Sequence, residues 1–140
     1  MRDGPTGRAL LDAAREALVA NLLPHVPEAV RAEALMVARA IEIVGREIEA
    51  GERPLRAEHR RLAALYGEEE RGGLDHERLG RELLRLNRVL AADIRRGAFD
   101  ADDARGRALL AHLVATTLDR VRETNPKWLD PAGPADARSA

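Results

Sequence analysis

Few residues in this chain could carry chemistry. Four histidines, His25, His59, His76 and His112, are the side chains that could act as bases near neutral pH. His25 stands in a turn between Pro24 and Pro27, His59 in the charged run EHRR, and His76 in the first turn of a helix. His112 falls opposite Leu110, Val114 and Val121, among Arg105, Asp119 and Glu123. All four are expected at the surface. The chain has no cysteine, which removes disulfides, thiolate ligands and cysteine nucleophiles together. Its single serine, Ser139, lies in the tail. Glu-x-x-His, His-Glu-x-x-His, a glycine-rich phosphate loop and a Gly-x-Ser-x-Gly elbow are all missing from the sequence. No catalytic residue, metal or cofactor is therefore expected. Carboxylate neighbours such as Glu42 and Glu49, or the run Glu68 to Glu70, fall on polar strips or in a loop, where nothing would shift their pKa usefully.

The polar groups that intrude on apolar faces say more. Asn21 falls in the apolar stripe of a first helix, Asn87 borders the leucine face of a fourth, and Thr117 lies in the inward face of a fifth. Read structurally, Asn21 bonds carbonyls freed at a helix end, Asn87 bridges two helices, and Thr117 bonds its own backbone. Read as a site, Asn87, Asn21 and Thr117 line a small ligand-binding cleft with Glu33 as its charged member. Two further residues suit contact with a protein. Leu35 projects from an otherwise charged strip, and Trp128 follows a helix stop, where it either seals a bundle end or stands out as a docking residue.

The elements that would position these residues are all helical. The segment 28–50 carries Val30, Ala34, Val37, Ile41, Val44 and Ile48 at alternating spacings of three and four, widened by Ala38 on one side and by Met36, Ala40 and Ile43 on the other. So narrow a polar strip predicts a helix covered on two or three sides, the centre of a bundle. Ahead of it, a helix capped by Thr6 is expected to run to about Leu23, where Pro24 and Pro27 turn the chain back. Gly51 closes the second helix and Pro54 opens a shorter third, about 55–66. The charged loop 67–73 is read as exposed and mobile. Asp75 caps a fourth helix to about Arg96 with Leu79, Leu83, Leu86, Leu90 and Ile94 on one face. Gly97 ends it, Asp100 with Asp103 resembles a capping box, and a fifth helix follows to Thr124 with Leu110, Leu113, Val114, Thr117 and Val121 inward. The fold class is thus all-α: a single-domain bundle of about five helices, four long and one short, with the second helix central. Residues 1–129 form the bundle domain and 130–140 a disordered tail.

Composition bounds the function. The 140 residues are 45% hydrophobic and 34% charged with a net charge of -1, a globular balance without the basic excess that binds nucleic acid. No stretch approaches a membrane span and the first residues lack a secretory signal, so no membrane partner and a cytoplasmic location are expected.

Four stretches together carry a resemblance: GPTGRALLDAAREAL with LLP behind it, AIEIVGREIEAGE, LGRELLRLNRVLAADIRRGAFD, and RALLAHLVATTLDRVRETNPKWL. They resemble a family of small bacterial helical domains of unknown function. That domain occurs alone or appended to aminoglycoside-phosphotransferase-like proteins, and is often encoded near acyl-CoA dehydrogenases. The resemblance implies an accessory role beside a phosphotransferase-like or acyl-CoA-metabolising enzyme, without catalytic residues to carry over. The expected function is a non-catalytic interaction module that packs against itself or such an enzyme through Leu35 and Trp128. The alternative is a bundle binding an acyl or phosphorylated metabolite.

Overall fold

Capping chemistry sets most of the helix ends. In the computed structural model, which describes residues 4–68, 73–101 and 103–130, Thr6 accepts a hydrogen bond from the Ala9 amide at 3.2 Å and opens α1, Gly7–Glu16. The helix does not continue as α to Leu23. Residues Ala17–Leu22 widen into a π turn and Leu23–His25 tighten into a 3-10 turn. Pro24 accounts for this: it has no amide to offer, and its ring would press on the carbonyl one turn back in a regular helix. A second 3-10 turn, Glu28–Val30, leads into α2, Arg31–Ala50, which Gly51 closes at φ 57°.

The helix α3 spans Arg53–Tyr66, with Pro54 in its first turn and Gly67 left-handed behind it. Of the loop expected at 67–73, residues 69–72 lie outside the described ones. So does the tail beyond Asp130. Asp75 accepts from the Arg78 amide at 2.8 Å and opens α4, His76–Arg95. The fifth helix, α5, spans Ala104–Thr124 and is capped by Asp103, whose carboxylate accepts from the Gly106 amide at 2.8 Å. Asp100 is not its cap. The turn folds the Asp100 side chain against Gly97, where an added Cβ would lie 2.7 Å from its Oδ2. The last described element is a 3-10 turn, Pro126–Leu129. Among the described residues the chain is all-α, without a strand.

The chain divides into two compact units, residues 1–51 and 52–140. In the first, α1 packs on α2. At Gly45 an added Cβ would meet the Arg8 guanidinium at 3.2 Å, and Arg8 also pairs with Asp12 at 2.9 Å and Glu49 at 3.3 Å. The expectation that the bulky side chains of the second helix are covered is corrected here. Only Ala38 and Gly45 of α2 are buried, while Val30, Val37, Val44 and Ile48 are 43 to 52% exposed. Small residues let α1 come close on one side. A unit of two packed helices has no third layer to cover the bulky side.

The apolar core lies in the second unit. Leu62 of α3, Leu79, Leu83, Leu86 and Leu90 of α4, and Leu109 of α5 form one buried cluster, with Leu55, Leu65, Tyr66, Leu74 and Phe99 packed against it. The middle helix of this unit is α3, which packs against both α4 and α5.

Candidate functional site

Polar side chains are buried where α3 meets α4 and α5. Glu58 of α3 accepts a 2.8 Å hydrogen bond from the Asn87 amide of α4, so Asn87 bridges two helices. One turn on, the Arg61 guanidinium donates to the Thr116 hydroxyl of α5 at 3.2 Å and pairs with Asp119 at 3.5 Å. Its Nε has no partner. His112 of α5 is 3% exposed and its Nδ1 is likewise unpartnered. Burial pushes the imidazole below its ordinary pKa and the Arg61 charge pushes it the same way, against a smaller pull from Glu58. At neutral pH His112 is therefore uncharged. Nearby, the Tyr66 hydroxyl donates to the buried Asp93 carboxylate at 3.1 Å, and Arg96 pairs with Asp93 at 2.6 Å. Burial and that hydrogen bond raise the Tyr66 pKa.

The surface histidines expected at 59 and 112 are thus corrected: His59 is 4% exposed and both are buried, while His25 and His76 are exposed. For His112 the cause is that α5 turns a different edge inward from the one its leucines suggest. Leu109, His112, Thr116, Asp119 and Glu123 turn inward, and Leu110, at 63% exposure, Leu113, Val114 and Thr117 turn outward. The polar edge is buried because Arg61 on α3 pairs with Thr116 and Asp119 on α5. The signal was present in the sequence. His112, Thr116, Asp119 and Glu123 recur at spacings of four, three and four, a second helical stripe beside the apolar one.

The residues expected to form a ligand cleft belong to four different elements. Asn21, in the π turn, and Glu33, in the first turn of α2, are exposed in the first unit; Asn87, half-buried, and Thr117, exposed, belong to the second. Beside Glu58 lies a recess of about 10 Å³, lined by Pro54, Leu55, Glu58, Thr116, Asp119, Arg120 and Glu123. That is room for one water and not for a metabolite. A shallow depression of about 380 Å³ lies over Leu74, Arg78, Arg81, Glu82 and Arg85 on α4. Its arginines already meet acids: Arg78 with Asp75, Arg81 with Glu77, Arg85 with Glu82 and Glu68. Among the described residues no group of three or more His, Asp or Glu side chains could hold a metal ion.

Two exposed apolar faces remain among the described residues, the Leu110, Leu113 and Val114 edge of α5 and the longer outer face of α2. Val30, Val37 and Val44 recur every seven residues and Ile48 follows on the same side, beside Ala40 and the 71% exposed Met36. Leu35 stands alone on the other side of the helix, and Trp128 is 59% exposed in the last 3-10 turn.

A family model described as a domain of unknown function, DUF6285, matches residues 24–128, well over half of the chain. The chain belongs to that family. No curated protein and no solved structure matches it. In this DUF6285 chain the matched span runs from Pro24 to Trp128; it takes in α2 to α5 and leaves α1 outside. No described helix is long and apolar enough to cross a membrane.

Proposed function

We propose that this DUF6285 chain is a non-catalytic helical interaction module that works by docking α2 on another protein, with Leu35 and Trp128 as further contacts. The observation that carries the reading is the exposed row Val37, Val44 and Ile48, three β-branched side chains on one face of a 20-residue helix, with exposed Val30 in the 3-10 turn just ahead of it. Valine and isoleucine pack well only when covered, and an apolar row of this kind marks a contact surface. The enzyme served is a phosphotransferase-like or acyl-CoA-metabolising one, as the resemblance of the sequence implies, and the expected setting is the cytoplasm. A small-molecule role draws less support, since Asn87 spends its amide on Glu58 and the recess beside it has the volume of one water.

The test uses the full chain and a Val37→Asp/Val44→Asp double variant, purified side by side from native cells and re-assembled with any companion by calorimetry. The wild-type chain forms a complex that the double variant weakens by about a hundredfold or more, with unchanged helicity. A wild-type chain that stays monomeric at millimolar concentration and assembles with nothing overturns the reading.

A further inference from the structure

The exposed row of α2 has a charged border, and its charge is of one sign. At 3.6 residues per turn, Glu33 and Glu47 fall beside Val37, Ala40 and Val44, on the edge away from Ala38 and Gly45. Both are exposed. The other acids of this segment are neutralised by arginines: Glu42 by Arg39 at 2.9 Å and Arg46 at 2.7 Å, Glu49 by Arg8 at 3.3 Å, and Glu28 by Arg31 at 2.9 Å. Glu42 shows the consequence. Partial burial works against its charge, yet hydrogen bonds from Arg46 and Arg39 hold its pKa below the usual range. Among the described residues neither the Glu33 nor the Glu47 carboxylate meets a cation. The two stand fourteen positions apart, about 21 Å along the helix axis.

A second copy laid antiparallel on this face would set Glu33 of one chain against Glu47 of the other, like charges at both ends of the seam. A helix bordered by arginine or lysine would neutralise both. We propose that α2 docks an amphipathic helix of another protein whose apolar stripe is flanked by basic side chains about four turns apart, with Glu33 and Glu47 as the pairing carboxylates. This rests on the interaction-module reading and names its partner's chemistry. The valine row supplies the burial, and the exposed carboxylates choose the partner.

Two fluorescent peptides, each about three heptads long with the same leucine and alanine row, separate the two parts. One carries lysine at the flanking positions and the other glutamate, and each is titrated against the full chain by anisotropy. The lysine peptide binds about tenfold tighter or more at low salt, the gap narrows as salt rises, and the Glu33→Lys/Glu47→Lys chain inverts the preference. Equal binding of both peptides overturns the basic partner and leaves the apolar row standing. Failure of both peptides also overturns it, and the interaction reading falls with it only if Val37→Asp/Val44→Asp leaves native assembly unchanged. A concentration-dependent dimer broken by that double variant makes a second copy the occupant and overturns the proposal.

Discussion

The helices α2 and α4 are the same length, 20 residues each, and they end up in opposite circumstances. The helix α4 has a polar outer face rich in arginine and glutamate, yet it buries Leu79, Leu83, Leu86 and Leu90. The helix α2 is the more apolar of the two around its circumference, yet it buries only Ala38 and Gly45. The difference lies in their neighbours. In the second unit, α3 carries Leu62 toward the leucines of α4 and bonds α5 through Arg61, so three layers close around one core. In the first unit α2 meets only α1 and the short turns that join the two helices, with Arg8 packed against Gly45. Burial follows from what a neighbouring helix can reach, and a wide apolar surface does not bring its own cover.

The largest effect expected from this contrast is in the second unit. Leu86 is fully buried, so Leu86→Ala should cost about 2–5 kcal/mol, read as a fall in the urea midpoint at unchanged slope. A loss below about 1 kcal/mol would mean that the leucine cluster does not hold the chain together. A smaller effect sharpens the same point through pH. The folded-state pKa of His112 lies below the ordinary imidazole value of 6.5, so the unfolded chain takes up this proton first. Its contribution is present above about pH 6.5 and is lost as pH falls toward the folded value, about 1.4 kcal/mol for each pKa unit of depression. His112→Gln should flatten the pH dependence of the urea midpoint between pH 7 and pH 5. If wild type and variant run parallel through that window, the histidine is not buried as described.

Helix positions, caps and the leucine core of α4 were legible because they rest on local chemistry. Thr6, Gly51, Asp75 and Gly97 do in the structure what their types and places suggest, and Leu79 to Leu90 are buried as their spacing indicates. The misreadings share a cause: sorting residues into apolar and polar cannot show which helix meets which. Leu110, Leu113 and Val114 look like an inward face until Arg61 is seen to claim Thr116 and Asp119 on the other edge. The π turn at Ala17–Leu22 escaped because a widened turn leaves an apolar pattern nearly unchanged. Asn87 was legible as a bridge. Its partner Glu58 was not, because a carboxylate in a charged run reads as solvated until a donor on another helix is placed beside it.

The smallest expected effect on stability is the most informative about the first unit. Val37 is 52% exposed, and valine and serine rank close together in helix propensity, so Val37→Ser removes methyl groups from water and little else. The urea midpoint should therefore move by no more than about 0.5 kcal/mol equivalent, against the several expected for Leu86→Ala. In a complex that buries the same side chain, up to about 1.5–3 kcal/mol of transfer free energy is at stake, roughly a ten- to hundredfold loss of affinity. Both quantities are measurable on one variant, by denaturation of the free chain and by calorimetry of the assembled one. A Val37→Ser chain destabilised as severely as Leu86→Ala would place Val37 inside a core that the free chain already forms. The contrast between the two units would then be wrong, because the outer face of α2 would be stabilising the fold and not waiting for a partner.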